Sequence, residues 1–64
     1  MDFEYIDLKR REKNLTVTEL CARAEIDRST YYNLKQNQDI RLSTLRKLFD
    51  ILELNMAEQR RVLS

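Results

Sequence analysis

Arg28, Ser29, Tyr32 and Asn33 follow one another at intervals of one, three and one residues. That spacing gathers four hydrogen-bonding side chains on one face of a helix. The chemistry open to them is recognition rather than bond making. An arginine fork matches O6 and N7 of guanine, and an asparagine amide matches N6 and N7 of adenine; each such pair discriminates against a wrong base by about 1–3 kcal/mol. Serine donates to a base or a phosphate, and a phenol bonds phosphate or packs on a thymine methyl. The plainer alternatives are Arg28 and Asn33 as solvated surface residues and Tyr32 as a contact for a partner protein.

Other chemistries are poorly served. The chain has 64 residues, no histidine, no glycine, no proline and one cysteine. A metal site, a disulfide framework and a glycine-rich phosphate loop lack their residues, so no cofactor is expected. A domain of this size buries only about 60% of its unfolded surface and leaves almost no cavity for a general acid–base pair, so the reading is not an enzyme. No apolar run nears the roughly 20 residues that span a bilayer, and no signal-peptide pattern opens the chain. Cys21 fits the small-residue slot of a helix as a buried, inert thiol, and a lone cysteine suits a reducing compartment; the expected location is cytoplasmic.

The elements that must position the four side chains are helices. Good helix formers dominate and no strand-like alternation persists, so the expected fold class is all-α, a compact bundle of about five short helices forming one domain over residues 1–64. The first helix is expected over Phe3 to Lys13, with Tyr5 and Leu8 or Phe3 and Ile6 as its buried stripe, and with Asn14 closing it in the left-handed conformation. Thr16 and Glu19 form a T-x-x-E capping box at the start of the second helix. Asp27 caps the third, Arg28 to Gln36, and only Glu25 and Ile26 separate the two. Residues 37–41 read as a polar loop. A fourth helix starts at Leu42 or Ser43, buries Leu45, Leu48, Phe49 and Leu52, and ends at Asn55. Met56 to Leu63 forms the last. Leu20, Ala24, Ile26, Tyr31 and Leu34 fall where two short helices meeting at a tight turn face a common core, the outline of a helix-turn-helix over about 17–36.

Net charge is +1, which is neutral evidence. Its distribution is uneven. Residues 1–7 carry three acids and no base, residues 9–47 ten bases against five acids, and residues 48–64 two bases against three acids. A basic middle between acidic ends suits a DNA-binding face, and equally an ordinary solvated surface.

Residues 15–34, L-T-V-T-E-L-C-A-R-A-E-I-D-R-S-T-Y-Y-N-L, resemble the helix-turn-helix of phage-repressor-like (Cro/XRE-type) transcriptional regulators. The block L-S-T-L-R-K-L-F-D-I-L at residues 42–52 and the R-x-x-K-x-L at residues 10–15 extend the likeness. Together they cover about residues 6–54. The resemblance implies a bundle of five helices that binds duplex DNA sequence-specifically, usually as a dimer, with the third helix in the major groove. Arg28, Ser29, Tyr32 and Asn33 then face base edges. Thr16 and Thr18 at the amino end of the second helix, and Gln36, Asn37, Gln38 and Arg41 past the third, flank the sugar-phosphate backbone. Tyr31 matches a buried aliphatic slot, its hydroxyl reaching outward.

Four positions depart from the family pattern. Val17 replaces a phosphate-holding glutamine, Glu25 a turn glycine, Asn37 a loop glycine, and Lys35 an acid that commonly pairs with the arginine matched by Arg10. Two cations in place of a pair leave Arg10 to contact phosphate or find another acid, while Lys9 and Arg11 beside it read equally as a solvated helix end. A single small module covers little DNA, so a homodimer is expected, with Met56, Val62 and Leu63 as its interface. The competing expectation is a protein-interaction module of the same fold, an antitoxin or anti-repressor, gripping a partner through Tyr31, Tyr32 and Ile40.

Overall fold

The computed structural model describes residues 1–38 and 41–64. Among these described residues five α-helices follow in order: α1 (Phe3–Glu12), α2 (Val17–Ala24), α3 (Arg28–Lys35), α4 (Leu42–Leu52) and α5 (Met56–Leu63). No strand occurs among the described residues. α2 packs on α3 and α4, and α1 lies across α3, α4 and α5. Ile6, Leu20, Tyr31, Leu34, Leu45, Leu48, Leu52 and Val62 are fully buried where these helices meet, so every helix contributes at least one side chain to one continuous core. α1 buries Phe3 and Ile6, whereas Tyr5 is half-buried and Leu8 exposed. The Phe3 ring meets Tyr31 edge-on at 4.9 Å.

A chain without glycine must still end its helices, and among the described residues it does so four times in the same way. Asn14, Glu25, Asn37 and Glu53 take positive φ of 56–58°. Behind each, two amides reach back to the helix they leave: Asn14 and Leu15 to Arg11 and Arg10, Glu25 and Ile26 to Ala22 and Cys21, Asn37 and Gln38 to Leu34 and Asn33, and Glu53 and Leu54 to Asp50 and Phe49. This is the Schellman arrangement, and the buried Leu15 and Leu54 supply the apolar contact that accompanies it. Asparagine tolerates the left-handed region; at Glu25 and Glu53 the Cβ opposes it by about 1–2 kcal/mol.

Helix starts differ from one another. Thr16–Glu19 forms the expected capping box. Asn55 forms a second one with Glu58; it opens α5 rather than closing α4, whose left-handed closing residue is Glu53. Asp27 holds the extended N-cap position of α3 but makes no side-chain cap bond. α4 starts at Leu42, behind Arg41.

Val62, expected at a dimer interface, is 0% exposed and packs in the core, with its carbonyl accepting from the Asp2 amide at 2.8 Å. A three-residue apolar patch on α5 therefore does not exist. Met56 and Leu63 remain outside, 64% and 47% exposed.

Candidate nucleic-acid interface

α3 is two-sided because its sequence is. Tyr31 and Leu34 sink into the core, which turns Arg28, Ser29, Tyr32, Asn33 and Gln36 to the outside. The four side chains singled out by spacing thus share one open face. Arg28, Ser29 and Asn33 make no side-chain hydrogen bond or ion pair with the rest of the described chain. Their donors are free for a ligand. Tyr32 is 47% exposed, and its ring stands edge-on to Tyr31 at 5.8 Å and 89°, which steadies an otherwise mobile aromatic beside the polar groups.

Past α3 the chain turns through Asn37. The Gln38 amide bonds the Asn33 carbonyl at 2.7 Å, so Gln36, Asn37 and Gln38, all exposed, sit at a defined exit beside the α3 face. Arg41, also exposed, stands at the head of α4. Ile40, one of the residues expected to grip a protein partner, lies outside the described residues.

At the amino end of α2, Thr16 Oγ1 accepts from the Glu19 amide at 3.0 Å, and Glu19 Oε1 accepts from the Thr16 amide at 3.1 Å. The backbone bond from Thr16 holds the Glu19 carboxyl below its usual value. Two polar groups expected to face an anion are therefore used by the cap, leaving the Thr16 hydroxyl hydrogen and the exposed Thr18. Val17 is half-buried against the core, so here a packing residue occupies the position of the family's polar one.

The structure's main correction concerns what holds α3. Asp7, on α1, is 9% exposed and gathers three partners. Tyr31 donates its hydroxyl to Oδ1, Arg10 Nε approaches the same oxygen at 3.3 Å, and Lys35 Nζ reaches Oδ2 at 3.2 Å. Burial alone would push the Asp7 carboxyl up, but the Tyr31 hydroxyl, then Lys35 and Arg10, outweigh it and hold the group below its ordinary value. Burial and the bond to Asp7 push the Tyr31 phenol up, keeping it a donor. The Tyr31 hydroxyl points inward, not outward, and the residue is 0% exposed, so it is unavailable to a protein partner.

Arg10 takes the other of its two expected places, on an acid, and that acid is Asp7. Its guanidinium donates to the Leu15 carbonyl at 2.7 Å as well as facing Asp7, and its side chain is only 15% exposed. It braces the α1–α2 connection from inside. The missing acid at position 35 has been supplied from α1, and Lys35 joins Arg10 on it. Asp7 thereby ties α3 and the approach to α2 to one anchor. Its three-residue spacing from Arg10 was a signal available in the sequence; its tie to Tyr31 and Lys35, 24 and 28 residues away, was not. Cys21 is buried, which raises its thiol pKa.

A short helix anchored by its inner side, open on its donor-bearing side and joined by a left-handed turn to a capped partner, is a helix-turn-helix. The chain belongs to the family of the Cro/C1-type HTH DNA-binding domain, whose family model matches residues 6–58. Neither curated proteins nor solved structures give a significant match. Membership makes the coarse function that of a DNA-binding transcriptional regulator. Among the described residues no helix is long and apolar enough to cross a membrane.

Proposed function

We propose that this protein is a sequence-specific repressor that reads duplex DNA with α3 in the major groove. The observation that carries this reading is the α3 face itself, where the Arg28, Ser29 and Asn33 side chains lack hydrogen bonds or ion pairs within the described chain. Arg28 and Asn33 read purines, while Ser29 and Tyr32 complete the contact. Thr16, Thr18, Gln36, Asn37, Gln38 and Arg41 meet the phosphates on either side and fix the register of α3. The working form is a cytoplasmic homodimer using Met56 and Leu63, with half-sites one helical turn, roughly 34 Å, apart. Repression follows from occupancy of the site.

Selection of bound duplexes from a random pool tests the reading. A single enriched motif is expected, with Arg28→Ala losing preference at one base position. No enrichment would overturn sequence-specific binding. Salt separates it from a protein-docking role: the log affinity for duplex should fall with log salt by about 0.9 per phosphate neutralised, whereas an apolar protein contact barely responds. The docking alternative has lost Tyr31 from its proposed surface.

A further inference from the structure

The outer face of α1 takes no part in the DNA reading above, and it has an internal symmetry. Glu4, Leu8 and Arg11 are all exposed and follow one another at four and three residues, one stripe along the helix. The stripe is exposed, and the buried side of α1, Phe3, Ile6 and Asp7, begins next to it, with Asp7 one turn from both Glu4 and Arg11. Leu8 is 43% exposed, and the half-buried Tyr5 borders it, with the Arg61 guanidinium 4.4 Å over the Tyr5 ring. These residues line one shallow depression. Lys9, Arg10, Lys13 and Arg61 have acidic partners, whereas Glu4 and Arg11 have no ion pair among the described residues.

We infer that this face binds a second copy of the same chain, α1 against α1 in antiparallel orientation about a two-fold axis at Leu8. At about 1.5 Å rise per residue, Glu4 lies roughly 6 Å to one side of Leu8 and Arg11 roughly 4.5 Å to the other. Reversing one helix against its copy therefore brings each Glu4 to within about 1.5 Å, along the axis, of the partner's Arg11, with the two Leu8 side chains between. Parallel pairing sets Glu4 against Glu4 and Arg11 against Arg11, which repel. The charges thus select both the occupant and its direction. One helix pair falls below the area of a stable dimer, so the contact is weak and forms at high local concentration. Together with the α5 contact proposed above it would link dimers into larger assemblies. It stands independently of whether the α5 contact or the DNA reading is correct.

Sedimentation of the full chain over a concentration series tests this, with circular dichroism as a check that each variant folds. Glu4→Arg and Arg11→Glu each put like charges across the axis and should weaken association at least about fivefold. The double variant restores the complement in reverse and should recover it. Both reversals oppose the helix dipole of α1, so recovery cannot come from a better helix. Leu8→Glu should abolish the contact, read also in a Met56→Glu chain, where the α5 contact is removed and the association that remains is this one. A double variant as weak as the singles overturns the proposal, as does association in the Met56→Glu chain that ignores Leu8→Glu or a wild-type chain monomeric at millimolar concentration. Loss with Met56→Glu alone assigns association to α5, which refutes this face while sparing the α5 dimer.

Discussion

At the scale of the residue, two positions divide the labour between reading and holding. Arg28 has its fork free on the open face of α3. Arg28→Ala should weaken the selected duplex by about 1–3 kcal/mol, roughly 5- to 150-fold, and relax preference at one base pair; fluorescence anisotropy across single-base variants measures both. Asp7 touches no ligand in this scheme and instead holds Tyr31, Arg10 and Lys35 at once. Asp7→Asn removes the counter-charge of two cations in a mostly buried place. A fully buried pair broken this way loses about 3–5 kcal/mol; the half-exposed Lys35 lets water compensate, so about 2–3 kcal/mol is expected. That is a fall in Tm of roughly 10–20 °C for a domain of this size, read by thermal denaturation. Tyr31→Phe should be milder, about 1–2 kcal/mol, because the carboxylate keeps both cations.

At the scale of the element, helix ends carry the unusual physics. Four Schellman closures in a chain without glycine place two glutamates, Glu25 and Glu53, in the left-handed region. Glu53→Gly removes the Cβ conflict at the end of α4 and loses only the exposed 3.5 Å pair with Lys13. Glycine's larger entropy loss on folding offsets part of the gain, so a net stabilisation of about 0.5–1 kcal/mol is expected, measurable as a higher urea midpoint with unchanged slope. The same argument applies to Glu25→Gly, with a second readout: this turn joins α2 to α3, so unchanged duplex affinity there would show that the glutamate is tolerated by the backbone rather than used for contact. α3 itself has no side-chain cap at Asp27 and depends on Tyr31, Leu34 and the Asp7 anchor. An eight-residue helix is marginal alone in water, so its order comes from the core beneath it.

At the scale of the whole molecule, acid should loosen the fold. The Asp7 carboxyl lies below its ordinary value because of the Tyr31, Lys35 and Arg10 partners that overcome burial, and Glu19 and Glu58 are lowered by the Thr16 backbone and the Tyr5 hydroxyl. Carboxyls depressed in the folded state bind protons more readily when unfolded. Stability is therefore full above about pH 5 and is lost as pH falls through the ordinary carboxylate range near 4 and on toward the folded values. Urea denaturation at steps from pH 6 to pH 2.5 should show that slope, and Asp7→Asn should flatten it. An unflattened slope would assign the acid sensitivity to the capping glutamates instead. Assembly also belongs to this scale: Val62 is inside, so any α5 contact must be made by Met56 and Leu63.

Local rules were enough to place the helices and the α3 face. The period of apolar residues, the T-x-x-E box at Thr16–Glu19 and asparagines at 14 and 37 act over a few residues, and all of them appear where they point. Asn55 failed because the same residue serves at either helix end; its three-residue spacing to Glu58, the counterpart of Thr16–Glu19, was the local signal that it opens α5. Val62 failed because periodicity over an eight-residue helix does not say which neighbour it faces. The charge anchor was least legible of all. Lys35 beside an unpartnered Arg10 read as a departure that left the arginine to a phosphate or to an unspecified acid, and α1 brings Asp7 to both cations. The sequence by itself determined that helices form, where most of them end, and which donors stand outside on α3, since these depend on neighbours within a turn or two. Only the tertiary structure decided which charges neutralise one another, because burial and distance, rather than spacing, set the strength of an ion pair.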